Sequence, residues 1–321
     1  MRQLSFLLLI LCAIWPQTLA AQQKPVIGFL NSALPGTQQP QYDAFLEGLK
    51  SRVNLKDVTI EYKWAANDYN LLQRLADDFA KRRVTVIVAA GGPVTAKAAK
   101  KATDDIPIVF TTISDPIQHG FVASLNKPGG NMTGNAGLTS ELDAKRLETL
   151  RAIKPSIRRI GVLFNPGRPD IERLNRELKS ATSRIGLELL LQPAVSDDEI
   201  KKAFELFAKE HVDAVSPAAD PLYNSKRQKI VALAATYALP AIYQWREFVD
   251  AGGLISMGPK ITNAYYQTGV YVGRILKGES PADLPVMHPT TFELVINLKT
   301  AKALGLTVPP ELLAIADDII K

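Results

Sequence analysis

Cysteine is almost absent from these 321 residues, and the one present, Cys12, lies in the apolar stretch that opens the chain. Without that stretch no thiol remains. A disulfide framework and a cysteine-held metal are excluded, and stability is left to packing. Histidine is also scarce, and His119, His211 and His288 have no ligand spacing between them. Also missing are a Gly-x-Ser-x-Gly elbow, a phosphate loop ending in Gly-Lys-Ser/Thr, a Gly-x-Gly-x-x-Gly turn and a His-Glu-x-x-His helix. These absences argue against an enzyme and imply neither cofactor nor metal. The formal charge of +6 could suggest nucleic acid, yet bases and acids interleave, as where Lys201-Lys202 sit between Asp197-Asp198-Glu199 and Glu205. With no basic run or aromatic-basic stripe, the charge reads as a solvated surface and not a nucleic-acid face.

What is present begins with Arg2, an apolar run from Leu4 to Trp15, and then Thr18-Leu19-Ala20-Ala21. That is the order of a secretory signal. Cleavage is expected after Ala20 or Ala21, with residues 1–21 as the signal peptide and the mature protein in the periplasm. The run is shorter than the roughly 20 apolar residues a spanning helix needs, and no later run is long enough. Ile10-Leu11, before Cys12, lacks the small residues of a lipoprotein site.

From Lys24 onward, short β-branched runs alternate with amphipathic patterns, the signature of βα units around largely parallel sheets. Strands are predicted over 25–31, 58–64, 84–90 and 107–111, with helices over 41–52 and 69–82, the second capped by Asp68. The stretch from Lys127 to Gly134 reads as loop and marks a first domain crossing. Beyond it the alternation resumes, with strands over 160–165, 187–192, 212–216, 240–244 and 254–257. Helices are predicted over 169–185, 224–237 and 263–277, and one more opens at the capping box Ser196-Asp197-Asp198-Glu199. The expected fold is α/β, two doubly wound parallel-sheet lobes joined by several crossings. The first lobe is expected to hold 24–137 plus 254–279, and the second 138–253 plus 280–321. Ligands of such sheets sit beyond the carboxyl ends of the strands, so two facing sheets make a cleft.

One turn stands out at such an end. Gly91, Gly92, Pro93, Val94 and Thr95 separate a buried strand from a helix, where bare backbone and free amides suit an anion such as a carboxylate; a plain tight βα turn would use the same residues. Asn31, Ser32, Thr112, Ser114, Asp115, Asn165, Asp220 and Tyr243 also lie just past predicted strand ends. Asp220 before Pro221 is either a ligand acceptor or a helix cap. Tyr243 and Trp245 either meet ligand or pack under the hinge.

Longer strings carry a resemblance. Val58-Thr59-Ile60-Glu61-Tyr62-Lys63-Trp64, Asn126-Lys127-Pro128-Gly129-Gly130-Asn131-Met132-Thr133-Gly134 and Pro240-Ala241-Ile242-Tyr243-Gln244-Trp245-Arg246-Glu247-Phe248-Val249 are similar to ABC-type solute-binding proteins of the tryptophan/tyrosine-transport group. So are Pro281-Ala282-Asp283-Leu284-Pro285, Phe292-Glu293-Leu294-Val295-Ile296-Asn297-Leu298-Lys299 and Gly305-Leu306-Thr307-Val308-Pro309-Pro310, and the likeness covers essentially the whole mature chain. It implies a periplasmic-binding-protein type I fold with three crossovers, no catalysis, and delivery of a loaded monomer to an ABC permease in the inner membrane. It also implies that the 91–95 turn receives a ligand carboxylate and that Asp115 and Asp220 face the cleft. An amino-acid-like ligand would then find the Thr95 hydroxyl for its carboxylate, Asp220 for its ammonium, and Tyr223 or Tyr243 for its side chain. Two places depart from the group: residues 33–40 lack its His-Pro and Leu-Asp pattern, and Met257 stands where relatives carry an aromatic residue. Both touch the expected cleft, so the ligand is not carried over. A periplasmic ligand sensor of the same fold is the alternative, and it would need a partner.

Overall fold

In the computed structural model, the residues described are 24–112, 114–137, 140–168, 170–289 and 291–321. The expected signal peptide lies outside them. The first lobe opens with β1 (Val26–Asn31), α1 (Gln39–Lys50), β2 (Thr59–Trp64) and α2 (Tyr69–Lys81). It continues with β3 (Val86–Ala90), α3 (Pro93–Ala102), β4 (Ile108–Thr112) and β5 (Met132–Ala136). Its strands form one all-parallel sheet in the order β2-β1-β3-β4-β5. β3 and β4 are buried along their whole length, as their unbroken apolar sequences require of strands covered on both faces. Asp68 caps α2, accepting a 3.0 Å bond from the Asn70 amide.

The chain then enters the second lobe through α4 (Ser140–Ile153), β6 (Arg159–Phe164), α5 (Ile171–Arg184), β7 (Glu188–Pro193) and α6 (Asp197–Lys209). Next come β8 (Ala214–Val215), α7 (Pro221–Ser225), α8 (Arg227–Thr236), β9 (Ile242–Tyr243), α9 (Arg246–Asp250) and β10 (Ile255–Pro259). It returns to the first lobe with α10 (Ile261–Leu276), and finishes in the second with β11 (Phe292–Asn297), α11 (Leu298–Ala303), α12 (Pro310–Ala314) and β12 (Asp318–Ile320). β7-β6-β8 and β9-β10-β11-β12 are joined by a parallel bridge between Val215 and Ala241. Among the described residues, only β10 and β11 pair antiparallel.

α10 is what completes the first lobe. Its Tyr265, Tyr271, Val272 and Ile275 bury against Phe29, Phe45 and Leu49. It crosses α1 with backbones in contact: a Cβ on Gly48 would lie 1.9 Å from the Tyr266 carbonyl oxygen, and one on Gly269 would lie 2.1 Å from that of Phe45. Only glycine fits either position.

The structure corrects several boundaries. Residues 132–134, read as the end of a loop, belong to the edge strand β5, which is fully buried despite a sequence (Met-Thr-Gly-Asn-Ala) with weak strand preference. The helix expected over 224–237 is broken at Lys226 into α7 and α8. β10 belongs to the second lobe's sheet, between β9 and β11, so residues 254–259 do not sit in the first lobe. Residues 281–287 do. Leu284 and Val286 are buried in first-lobe cores, Met287 bridges to Asn135, and the Thr133 hydroxyl donates to the Leu284 carbonyl at 2.7 Å.

Candidate functional site

In the first lobe the strand order reverses between β1 and β3, and the chain past their ends is Asn31-Ser32 and Gly91-Gly92. This is where an open α/β sheet leaves a crevice. Gly91 and Gly92 have φ of +98° and +91°, a region glycine enters without strain. A Cβ on Gly91 would lie 2.4 Å from Ser32 Oγ; in place of that clash, the Ser32 hydroxyl donates to the Gly91 carbonyl at 2.8 Å. Asn31 locks the neighbouring loop, accepting from the Ala33 amide at 2.8 Å and donating to Gln38 Oε1 at 3.0 Å.

These residues form one wall of a small cavity that is partly open to solvent. The first lobe contributes Gln38, Gly91, Gly92, Thr111, Thr112 and Asn135, and α10 adds Ile261, Ala264 and Tyr265. From the second lobe come Pro221, Asn224, Trp245 and Pro259. The polar lining is held in place from behind: Thr268 Oγ1 meets Thr111 Oγ1 at 2.9 Å and accepts from Asn135 Nδ2 at 3.0 Å. Among the described residues, no Asp, Glu, Lys or Arg lines the cavity.

Around the cavity the lobes touch directly. The Tyr69 hydroxyl, from the first lobe, donates to Asp220 Oδ1 at 3.1 Å and accepts from Asn165 Nδ2 at 2.9 Å. Ser114 donates to Asp170 Oδ2 at 2.7 Å, and Gln41 Nε2 donates to Glu247 Oε1 at 2.7 Å. Asp170 also takes a two-pronged contact from Arg168, at 2.9 and 2.8 Å. Burial alone would raise the Asp170 carboxyl, but the Arg168 guanidinium and the Ser114 hydroxyl hold it down at about 2. For Asp220, burial dominates and pushes its carboxyl upward, against the opposing pull of Arg168.

The expected site residues divide into groups. Gly91, Gly92 and Thr112 line the cavity, while Asn31 and Ser32 lie behind it and shape it. Pro93 opens α3, Val94 packs on the first-lobe core, and Thr95 is fully buried with its hydroxyl 3.5 Å from the Gly91 carbonyl. Ser114, Asn165 and Asp220 join the lobes outside the cavity lining. Asp220 is a helix cap, accepting from the Leu222 amide at 2.8 Å. Asp115 caps the turn that follows it, accepting from the Ile117 amide at 2.9 Å. Tyr223 is fully buried and donates to the Ala194 carbonyl at 2.8 Å. Tyr243 is fully buried and stacks on Phe248 with ring centroids 4.6 Å apart. Met257 packs on the second-lobe core, its sulfur 3.7 Å from the Thr149 hydroxyl.

Sequence reading placed Gln38 only within the 33–40 loop expected at the cleft, and missed Asn135, Asn224, Tyr265 and the interlobe partners Tyr69 and Asp170. The Asp-Pro signal of α7 does point to Asn224, one turn past Asp220. Tyr69 stood only as the first residue of a predicted helix. Among the described residues no cluster of His, Cys, Asp or Glu could hold a metal, and no helix is long and apolar enough to cross a membrane.

Comparison with known proteins agrees with this architecture. A "Tyrosine-binding protein" of Clostridioides difficile is 29% identical over 260 residues, 81% of this chain and 73% of that protein. Among solved structures, an ABC domain in complex with L-Trp from Streptococcus pneumoniae superposes with a TM-score of 0.83 at 25% identity, over 92% of this chain and all of the other. A ligand-free, open substrate-binding protein with adhesive properties from Clostridium difficile reaches 0.65 at 26% identity, over 92% of this chain and 99% of the other. The pattern of the family described as ABC transporter substrate binding protein matches residues 35–320, and this chain belongs to that family.

Proposed function

We propose that the chain is the exported receptor of an ABC importer, capturing a carboxylate-bearing, amino-acid-like ligand in the interlobe cavity by hinge closure. The observation that carries this reading is the cavity itself, walled by strand ends of both lobes and bordered by direct interlobe hydrogen bonds. At nearly equal identity, the superposition is better on the L-Trp complex than on the open, ligand-free protein, which supports reading the present arrangement as the closed one. Trp245 and Tyr265, 4% and 2% exposed, give the cavity aromatic walls for a flat side chain. The Gly91-Gly92 turn and the start of α3 supply backbone amides for the carboxylate. Gly92 N–H is used by the Thr111 carbonyl, but Val94 and Thr95 amides have no backbone acceptor among the described residues.

Delivery of the loaded receptor to a permease in the inner membrane, and removal of residues 1–21 near Ala20 or Ala21 on export to the periplasm, complete the reading. Melting of the purified protein, residues 22–321, with amino acids, aromatic acids, nucleosides and sugars tests it. A bound ligand at a hundredfold excess over its Kd adds about 2.7 kcal/mol. A shift with an aromatic amino acid is expected. A shift with sugars or nucleosides alone would overturn the ligand class, and turnover of any of them would overturn the receptor reading.

A further inference from the structure

We propose that the free edge of the first-lobe sheet is a self-pairing surface, on which β2 of a second copy of this chain adds antiparallel about a two-fold axis at Tyr62. This replaces the monomer that the family resemblance implies, and it is independent of what the interlobe cavity binds. β2 ends the sheet order β2-β1-β3-β4-β5, and β1 is its strand partner among the described residues. The opposite edge, β5, is closed off: the Met287 amide donates to the Gly134 carbonyl and the Ala136 amide to the Met287 carbonyl, each at 2.9 Å.

The ladder to β1 decides which groups of β2 face outward. The Thr59 amide donates to the Pro25 carbonyl at 2.9 Å, and the Ala65 amide donates to the Asn31 carbonyl at 2.8 Å. Alternation along the strand then turns the backbone groups of Glu61 and Lys63 towards β1 as well, and those of Ile60, Tyr62 and Trp64 away from it. The side chains alternate between the two faces of the sheet. Glu61 and Lys63 pair with Arg82 and Asp78 of α2 on one face. On the other, Ile60, Tyr62 and Trp64 gather with Phe29 and Tyr42.

Charge selects the register of a second strand bonded through the outward groups. Centring the pair on Glu61 sets that glutamate opposite its own copy, and centring it on Lys63 does the same with lysine. Like charges directly opposite are destabilising. Centring it on Tyr62 instead sets Glu61 opposite Lys63 of the second copy on both sides of the axis, and Ile60 opposite Trp64. Alternating charges on a sheet edge ordinarily repel other chains; here the same charges reject the neighbouring registers and favour one. Tyr62, at the axis, is 37% exposed although its neighbours Ile60 and Trp64 are half-buried. Beside it a recess lined by Gly36, Gln38, Gln39, Tyr42, Tyr62 and Trp64 opens on the same face, next to the position that Ile60 of the second copy would take. All these residues belong to the first lobe, so the second lobe of each copy stays outside the named contacts.

Sedimentation equilibrium on residues 22–321 without ligand, from about 5 µM to about 500 µM, tests this. One added strand makes a small interface, so a dimer with a dissociation constant inside that range is expected. Glu61→Lys makes the edge wholly basic and Lys63→Glu makes it wholly acidic. Each variant alone meets like charge in the Tyr62-centred register and is expected to dimerise about tenfold more weakly than wild type, or worse. Mixed in equal amounts, the two restore opposite charge across the axis, and a heterodimer close to wild-type strength is expected. Recovery on mixing separates a contact at the edge from a loss of folding. Wild type that stays monomeric through the range overturns the proposal. So do variants that each dimerise alone as wild type does, and so does a mixture that stays monomeric.

Discussion

The hydroxyl of Tyr69 donates to Asp220 Oδ1 across the gap between the two lobes, 3.1 Å from a carboxylate that belongs to a helix of the other sheet system. The residues are 151 positions apart, and Asn165 donates to the same hydroxyl from the second lobe. The bond therefore exists only when the lobes meet.

Tyr69→Phe removes that hydroxyl and leaves Asp220 short of a donor in the closed arrangement. The expected loss is about 1–3 kcal/mol, drawn from closure and not from the fold of either lobe. Ligand affinity should fall by roughly 5- to 150-fold, with a small change in the melting temperature of the free protein. Calorimetry paired with small-angle scattering checks it; an unchanged affinity would show that the bond is not part of closure.

Acid should loosen the Asp170 junction in a defined window. Its folded carboxyl sits at about 2 against an ordinary value of 3.8, so it binds protons less readily folded than unfolded. The associated stability is complete above pH 4 and is lost as pH falls towards 2, amounting to about 2 kcal/mol. Melting temperatures of wild type and Asp170→Asn from pH 6 to pH 2 should converge in that interval. Parallel curves would disprove the assignment.

Gly91→Ala should cost more than a typical glycine replacement. The new Cβ meets Ser32 Oγ at 2.4 Å and the residue must still hold φ of +98°. Strain of about 1–3 kcal/mol is expected together with a displaced cavity wall, read as a lower melting temperature and weaker ligand binding. Gly120→Ala, at φ +65° with nothing within 4 Å, controls for the backbone term alone and should leave ligand affinity intact.

Tyr243 separates packing from binding. Its ring is buried against Phe248 and is not among the residues lining the cavity, so Tyr243→Ala should destabilise the second lobe by about 3–5 kcal/mol. Tyr243→Phe should leave ligand affinity unchanged in calorimetry. A large loss of affinity in the phenylalanine variant would place the hydroxyl in the site after all.

Much of the architecture is legible in local patterns, because the forces that set it are local. Ser196 and Glu199 form the capping box their spacing implies, with reciprocal bonds of 3.2 and 2.9 Å. The Gly91-Gly92 turn falls at the cavity because it ends a fully buried strand at the reversal of strand order. What escaped was set by distant partners. β5 has little intrinsic preference for a strand and is extended because β4 pairs with it. Tyr243 reads as reaching the cleft near the end of a strand over 240–244, whereas β9 spans only Ile242–Tyr243 and the ring is buried in the second-lobe core. Asp220 could be a cap or a ligand group until Tyr69 arrived from the other lobe, and Asn224 carries no signal of its own beyond following that cap by one turn.

The crossing of α1 by α10 also fixes when the first lobe can become a folded object. Synthesis delivers β1 to β5 early, but the helix that covers Phe45 and Leu49 follows only after all of 140–259. Until then the nascent first lobe keeps an apolar face open and two glycines waiting for a partner backbone. Such high-separation contacts fold slowly. The first lobe can therefore close that apolar face only once residues 261–276 have been made.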